Sequence, residues 1–407
     1  MHQSNQALVQ KTSLHINSEY LKEILKDTIK EFPGISFQTK EITIDKPYRV
    51  LFHYRHELED AGEDLEEGSE AAAHLNLLLD LVNEEFKETI EESDNLREQG
   101  LMSYPHLWTI FRPGCTVYAP VFGQPRAFTL INYSYVCGDF PGLNLIIEFV
   151  DFDGEDCGTR TTNRLVAAFS GAEHINDLSA FPIEWHKDPE GVKMQLISRG
   201  RRWEQHAGMH FCNYKGVALE YTPCGISRYN MEGRVVVDTK TSHRLNANYA
   251  FNVSPFKSDE DKVSKRRRIR ADQYDEEENV ETLDLVPEEQ LELDPLTDEQ
   301  CMLANAMLRG FSFTEKKWFD FFIGQLSAPG WNADCFDQLV LPAAQKDLVR
   351  ALVATHAEQN LGFDDIVKGK GKGLIMVLHG PPGVGKTLTA ETVAEYCKRP
   401  LYMVSSG

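Results

Sequence analysis

Eight consecutive residues, Gly380, Pro381, Pro382, Gly383, Val384, Gly385, Lys386 and Thr387, follow the pattern GxxxxGK[ST], whose chemistry is phosphate binding. At ordinary residue frequencies a random chain of this length contains the pattern about once in a hundred cases. Glycine at positions 380, 383 and 385 lets the backbone curl without Cβ clashes, so that successive N–H groups converge as an anion cradle at a helix N-terminus. Pro381 and Pro382 stiffen the curl. Lys386 is placed to reach the β- and γ-phosphates of ATP, and the Thr387 hydroxyl to ligate Mg²⁺.

Such a loop works only between a strand and a helix. The apolar run at residues 374–378 (LIMVL) predicts the strand, and residues 386–397 (KTLTAETVAEYC) the helix. Glu391 and Glu395 on that helix lie more than a turn beyond the phosphate end, which suits a solvated or ion-paired face better than a catalytic base.

Three further groupings invite chemistry. His206, His210 and Cys212, with Cys224 nearby, resemble a zinc set, but two close thiolates are missing and a strand-edge core cluster is the better reading. Asp151, Asp153 and Glu155 begin like a calcium loop; Asp156 stands where that loop needs glycine, which favours a tight Asp-Gly hairpin turn. Arg199, Arg201, Arg202 and Trp203 can stack on a base, although arginine stems along a helix are more often solvated. No spacing of Ser, His, Asp or Cys suggests a nucleophile.

The chain has 407 residues, with 63 acidic against 42 basic side chains and a net charge of −21. The acidity is local. Residues 55–100 hold 16 acidic and 3 basic residues, and residues 272–299 hold 13 acidic and none basic, which leaves the rest slightly positive. An acidic balance disfavours nucleic acid as a partner. No run approaches the length of a membrane span, and the first ten residues lack the build of a secretory signal. Eight cysteines without a CxxC pair suit a reducing compartment. An intracellular protein, cytoplasmic or nuclear, is expected, and KRRRIR at 265–270 is a candidate nuclear-import segment.

Five segments follow from composition and period. Residues 1–100 contain an amphipathic acidic helix from Ser69 to about Arg97, with Leu75, Leu78, Leu79, Val82, Phe86 and Ile90 on one face. Residues 101–257 predict a strand-rich α+β domain, with strands at 107–111, 116–122, 127–136, 143–152, 217–221 and 233–238 and a helix over 189–206 carrying Val192, Leu196, Arg199 and Trp203. Residues 258–296 are a charged flexible linker. Residues 297–360 predict a helical lead-in of three helices, two opened by capping boxes at Thr297/Gln300 and Ser312/Glu315, and a third after Pro342 with Ala344, Leu348, Leu352 and His356 on one face. Residues 361–407 hold the phosphate loop.

Residues 297–407 closely resemble fungal AAA-type ATPases that carry a large N-terminal domain of unknown function, through GFSFTEKKW (310–318), WNADCFDQLVLP (331–342), FDDIVKGKGKGLIMVLHGPPGVGKTLTAETVAE (363–395) and PLYMVSSG (400–407). The resemblance continues more weakly through LWTIFRPG (107–114), DFDGEDCG (151–158), LISRGRRWEQHAGMHFCNYKG (196–216) and GRVVVDTKTSHRLN (233–246). It implies an ATP-driven remodelling protein, a homo-oligomeric ring acting on an unidentified macromolecular substrate, with Asp365 and Ile366 lying against the adenine. The fold class implied is multi-domain: a strand-rich α+β N-terminal domain, a helical lead-in, and the truncated start of an α/β P-loop NTPase (AAA) domain. Hydrolysis in this family needs an Asp-Glu strand, a polar sensor and a neighbour's arginine. None is found before Gly407, so catalytic residues stay unassigned. The expectation is a fragment or incomplete gene model of a longer ATPase, holding ATP–Mg²⁺ weakly without turnover. Two rivals remain, a non-catalytic interaction protein with a vestigial P-loop and a P-loop kinase.

Overall fold

The computed structural model describes residues 12–256, 293–358 and 375–404. The predicted linker, the KRRRIR segment, and Asp365 and Ile366 lie outside the described residues, apart from positions 293–296 at the end of the linker. The chain forms two compact units, one of residues 1–150, 160–198 and 298–304, the other of residues 151–159, 199–297 and 305–407. Among the described residues no helix is long and apolar enough to cross a membrane.

The first unit opens with a two-stranded ribbon, β1 (Ser13–Ile16) with β2 (Ile42–Asp45), between which runs α1 (Glu19–Thr28). Helices α2 (Arg49–His53), α3 (Arg55–Glu63) and α4 (Glu70–Glu98) follow. Helix α4 is the predicted acidic helix. The Ser69 hydroxyl accepts from the Ala72 N–H and caps its start. Leu75, Leu78, Val82 and Phe86 are buried, while Glu84, Glu88 and Glu91 face water. β3 (Leu101–Ser103) then leads to an antiparallel sheet of β4 (Thr116–Tyr118), β5 (Ala127–Val136), β6 (Gly142–Phe152) and β7 (Cys157–Ala167). β8 (Ala172–His174) returns to pair with β3, and β9 (Phe181–Pro182) completes the order β7-β6-β5-β4-β9. The strands predicted at 127–136 and 143–152 are present.

Residues 107–111 correct the expectation of a strand there. Residues 107–110 belong to a 3-10 helix, Tyr104–Ile110, with Pro105 in its first turn and Phe111 as its C-cap. Proline presets the helical φ. The Trp108 N–H donates to the Tyr135 hydroxyl, which in turn donates to the Tyr104 carbonyl, so backbone groups that a strand would offer to a neighbour are used here instead. The helix seats Trp108 against Phe52 at 4.7 Å, and Phe52 also meets Phe86 at 5.2 Å. His53 is buried beside this aromatic group, its Nε2 3.0 Å from the Tyr133 hydroxyl.

Helix α5 (Pro189–Gln205) runs from one unit into the other. In the second unit β10 (His210–Thr222) and β11 (Gly225–Val237) form a long hairpin in continuous register from His210↔Val237 to Thr222↔Gly225. After α6 (Thr239–Leu245) and the short α7 (Asp298–Met302, counted with the first unit), β12 (Met307–Ser312) pairs with β11 and β13 (Lys317–Phe322) with β12. The Leu219↔Asp320 pair brings β13 back to β10, so these four strands close on themselves, and β14 (Leu326–Ser327) adds to β10. Tyr214, Leu219, Val235, Phe319, Phe321 and Trp203 are buried. Of the three predicted lead-in helices, the first survives as the five-residue α7 and the third as α8 (Ala343–Glu358). Leu348 and Leu352 of α8 are exposed and Val353 is buried instead, which corrects the predicted apolar face.

The middle lead-in helix is replaced by the β12–β13 hairpin. The local signal was real: the Glu315 N–H donates to the Ser312 hydroxyl and the Lys316 N–H to the Ser312 carbonyl. Those bonds close a four-residue turn rather than start a helix, because Trp318, Phe319, Phe321 and Phe322 suit a pleated surface and β11 offers a ladder.

The β6–β7 connection is the predicted Asp-Gly turn. Asp153 accepts through Oδ1 from the N–H groups of Glu155 and Asp156, and through Oδ2 from Val253 N–H. Gly154 sits at φ 102°, and a Cβ there would meet the Lys240 Cα at 2.6 Å. Gly154→Ala is therefore expected to destabilise the protein by about 2 kcal/mol or more, read as a lower urea midpoint. A second expectation concerns pH. Burial, then the charges of Arg112, Arg49, Arg55 and Arg97, lower the His53 pKa to about 3. The folded state holds a neutral imidazole where the unfolded chain binds a proton, so stability is intact above pH 6.5 and falls as pH drops toward 3. The loss between pH 6.5 and 5 should be about 2 kcal/mol. His53→Leu should flatten that slope in denaturation curves taken at the two pH values.

Candidate functional site

The described loop begins at Gly380. Gly380, Gly383 and Gly385 hold φ of 157°, 86° and 86°, and the last two lie where a side chain is strained. Helix α9 (Lys386–Tyr396) starts directly on Gly385, which supplies no side-chain cap, so that among the described residues the first-turn N–H groups have no side-chain acceptor. The Lys386 ammonium folds back over the loop and donates to the carbonyls of Gly380 and Pro381, at 2.8 Å each. Thr387 is exposed on the first turn, and two residues on Thr389 is tied by its N–H and hydroxyl to the Gly385 carbonyl. Pro381, Pro382 and Val384 are exposed. All eight predicted loop residues, 380–387, lie among the described residues.

Among the described residues, the strand predicted at 374–378 is not formed. Residues 375–380 belong to no helix or strand and are unpaired among the described residues, with Ile375 and Val377 90% and 86% exposed. Residues 401–404 are likewise outside any strand. A parallel strand exists only through its neighbours' hydrogen bonds, and the described residues supply no neighbour.

Glu395 is ion-paired rather than free to act as a base. Its Oε1 lies 2.5 Å from Arg234 Nη1 and its Oε2 accepts from the Asn332 N–H. The Arg234 hydrogen bond, chiefly, holds its carboxyl below the usual range. The far end of α9 packs on the 3-10 helix Ala333–Phe336, with Tyr396 5.3 Å from Phe336.

The other groupings make contacts within the fold. His206 and His210 stand 5.7 Å apart, and His206 Nδ1 bonds the Arg202 carbonyl; Cys212 is buried and Cys224 exposed. Among the described residues no three His, Cys, Asp or Glu side chains converge on a metal position. The end of α5 corrects the solvated-arginine reading: Arg201 donates to the Leu296 carbonyl, Arg202 to Leu326 and the Trp203 indole to Met307. Burial pushes the Cys115 and Cys157 thiols up to about 12, which favours the protonated form of both.

Residues 92–187 match a family described as a domain of unknown function, DUF7025, and residues 376–407 match the ATPase family associated with various cellular activities (AAA). No curated protein and no solved structure matches the chain. The first match spans the end of α4 and the sheet through β9, and the second begins four residues before Gly380. The chain therefore carries a DUF7025 domain and, at its C-terminal end, a partial match to the AAA family of P-loop ATPases.

Proposed function

We propose that residues 380–387 bind ATP with Mg²⁺, and that the chain belongs to an ATPase whose hydrolysis remodels a macromolecular partner within a ring of like subunits. The observation that carries this reading is the loop itself: left-handed glycines, an uncapped helix start, and a lysine ammonium lying across it. This donor set fits a triphosphate, since N–H groups and an ammonium offer only positive potential. It fits Mg²⁺ through Thr387, an oxygen ligand on an exposed first turn. When bound, the metal neutralises phosphate charge and holds the chain of phosphates in one geometry.

Lys386 would exchange its bonds to Gly380 and Pro381 for phosphate oxygens, and the first-turn N–H groups of α9 would hold the β-phosphate. Asp365 and Ile366 are assigned to the adenine by resemblance alone. The strand-rich N-terminal region is the recognition element in this reading, by analogy with the architecture of the family.

A fluorescent ATP analogue titrated with Mg²⁺ tests the site. Lys386→Ala should weaken binding by about ten- to a hundredfold, as expected for a lost charge-assisted bond. Thr387→Ala should lose most of the Mg²⁺ dependence while retaining metal-free binding. Undiminished binding in Lys386→Ala would refute the assignment.

A further inference from the structure

The bond network at the far end of the phosphate-loop helix is more elaborate than a surface ion pair requires. Arg234, on β11, reaches Glu395 with Nη1 and the Gly330 carbonyl with Nη2, and its guanidinium lies 4.7 Å over the Trp331 ring. Trp331 in turn stacks on Phe211 of β10 at 5.3 Å and 25°. Glu395 closes the circuit by accepting from the Asn332 N–H at 3.0 Å. Both members of the pair are largely shielded, with 29% and 20% of their side chains exposed. One carboxylate therefore ties α9 to a β11 arginine and to the backbone of the 330–332 loop.

The helix between the two ends is stiff. Its sequence, KTLTAETVAEY, contains neither glycine nor proline, so it has no usual kink site. Lys386 and Glu395 are nine residues apart, about 14 Å along the axis. A shift of the loop end must appear at the Glu395 end. A cleft of about 820 Å³ beside the pair, lined by Phe211, Trp331, Leu388 and Glu391 among others, leaves room for such a shift.

We propose that Arg234 and Glu395 form a latch that couples nucleotide binding at the loop to the closed four-stranded sheet, with Arg234 a positioning residue for the phosphate site and Trp331 the side chain that repacks. The proposal rests on the ATP reading above. Coupling of this kind is reciprocal: a change at Arg234 must alter nucleotide affinity, and nucleotide must alter the surroundings of Trp331.

The test uses the full chain with ATP and Mg²⁺, following tryptophan emission and, separately, ATP affinity by calorimetry. ATP should change the emission of the wild-type protein, and Trp331→Phe should bind ATP without that change. Glu395→Gln should shift ATP affinity by about fivefold, and Arg234→Met should produce no further shift in the Glu395→Gln background. Thermal unfolding of each variant separates this from loss of fold, and the wild-type emission experiment needs no variant to be stable. Normal ATP affinity in Glu395→Gln together with an emission change that survives Trp331→Phe would overturn the latch while leaving the ATP reading intact. A wild-type chain that binds no ATP would remove both, and calorimetry alone distinguishes that result.

Discussion

A β-strand is stable only when its N–H and C=O groups find partners, and in the second unit that requirement is met by closure. The β10–β11 hairpin is long, and by itself it would expose two edges. The hairpin of β12 and β13 pairs along β11, and the Leu219↔Asp320 pair returns it to β10. Almost everything else in the unit hangs on this arrangement. Trp203 is buried because the carbonyl of Met307, on β12, is positioned to accept its indole N–H. Arg309 and Asp320 meet at 2.9 Å because they face each other across β12 and β13. Arg234 reaches α9 because β11 is held in register.

The same constraint explains what the sequence revealed and what it concealed. Periodicity reports burial, so α4, β5 and β6, each with one strongly buried face or run, were legible. β7 was not: its run CGTRTTNRLVA carries polar residues on both faces, and only pairing with β6 makes it a strand. Residues 307–322 misled in the opposite direction. Ser312 and Glu315 carry a helix-start signature and form its bonds, yet a cap constrains only one turn, and aromatic side chains with a waiting strand decided the rest.

The backbone of the 380–387 loop was legible for a related reason. Its geometry is written in contiguous residues: glycines that allow left-handed φ, a helix that follows at once, and a lysine between them. The strand expected at 374–378 was a different kind of expectation, since a parallel strand is a property of its neighbours. The Arg234–Glu395 contact was illegible because its partners lie far apart in the chain and neither carries a local signal.

The lysine that bonds its own loop has a consequence for selectivity. With its ammonium satisfied by the Gly380 and Pro381 carbonyls, the loop resists collapse and does not present a bare cation to every passing ion. If the loop binds ATP as proposed, binding is an exchange of acceptors, in which the newcomer must replace two hydrogen bonds. A halide has one charge and no directional geometry to set against that. A polyphosphate brings several anionic oxygens at fixed spacing, enough to engage the ammonium and the helix N–H groups together. On the proposed ATP reading, the fold-back would act as a threshold that sorts anions by how many acceptors they carry at once.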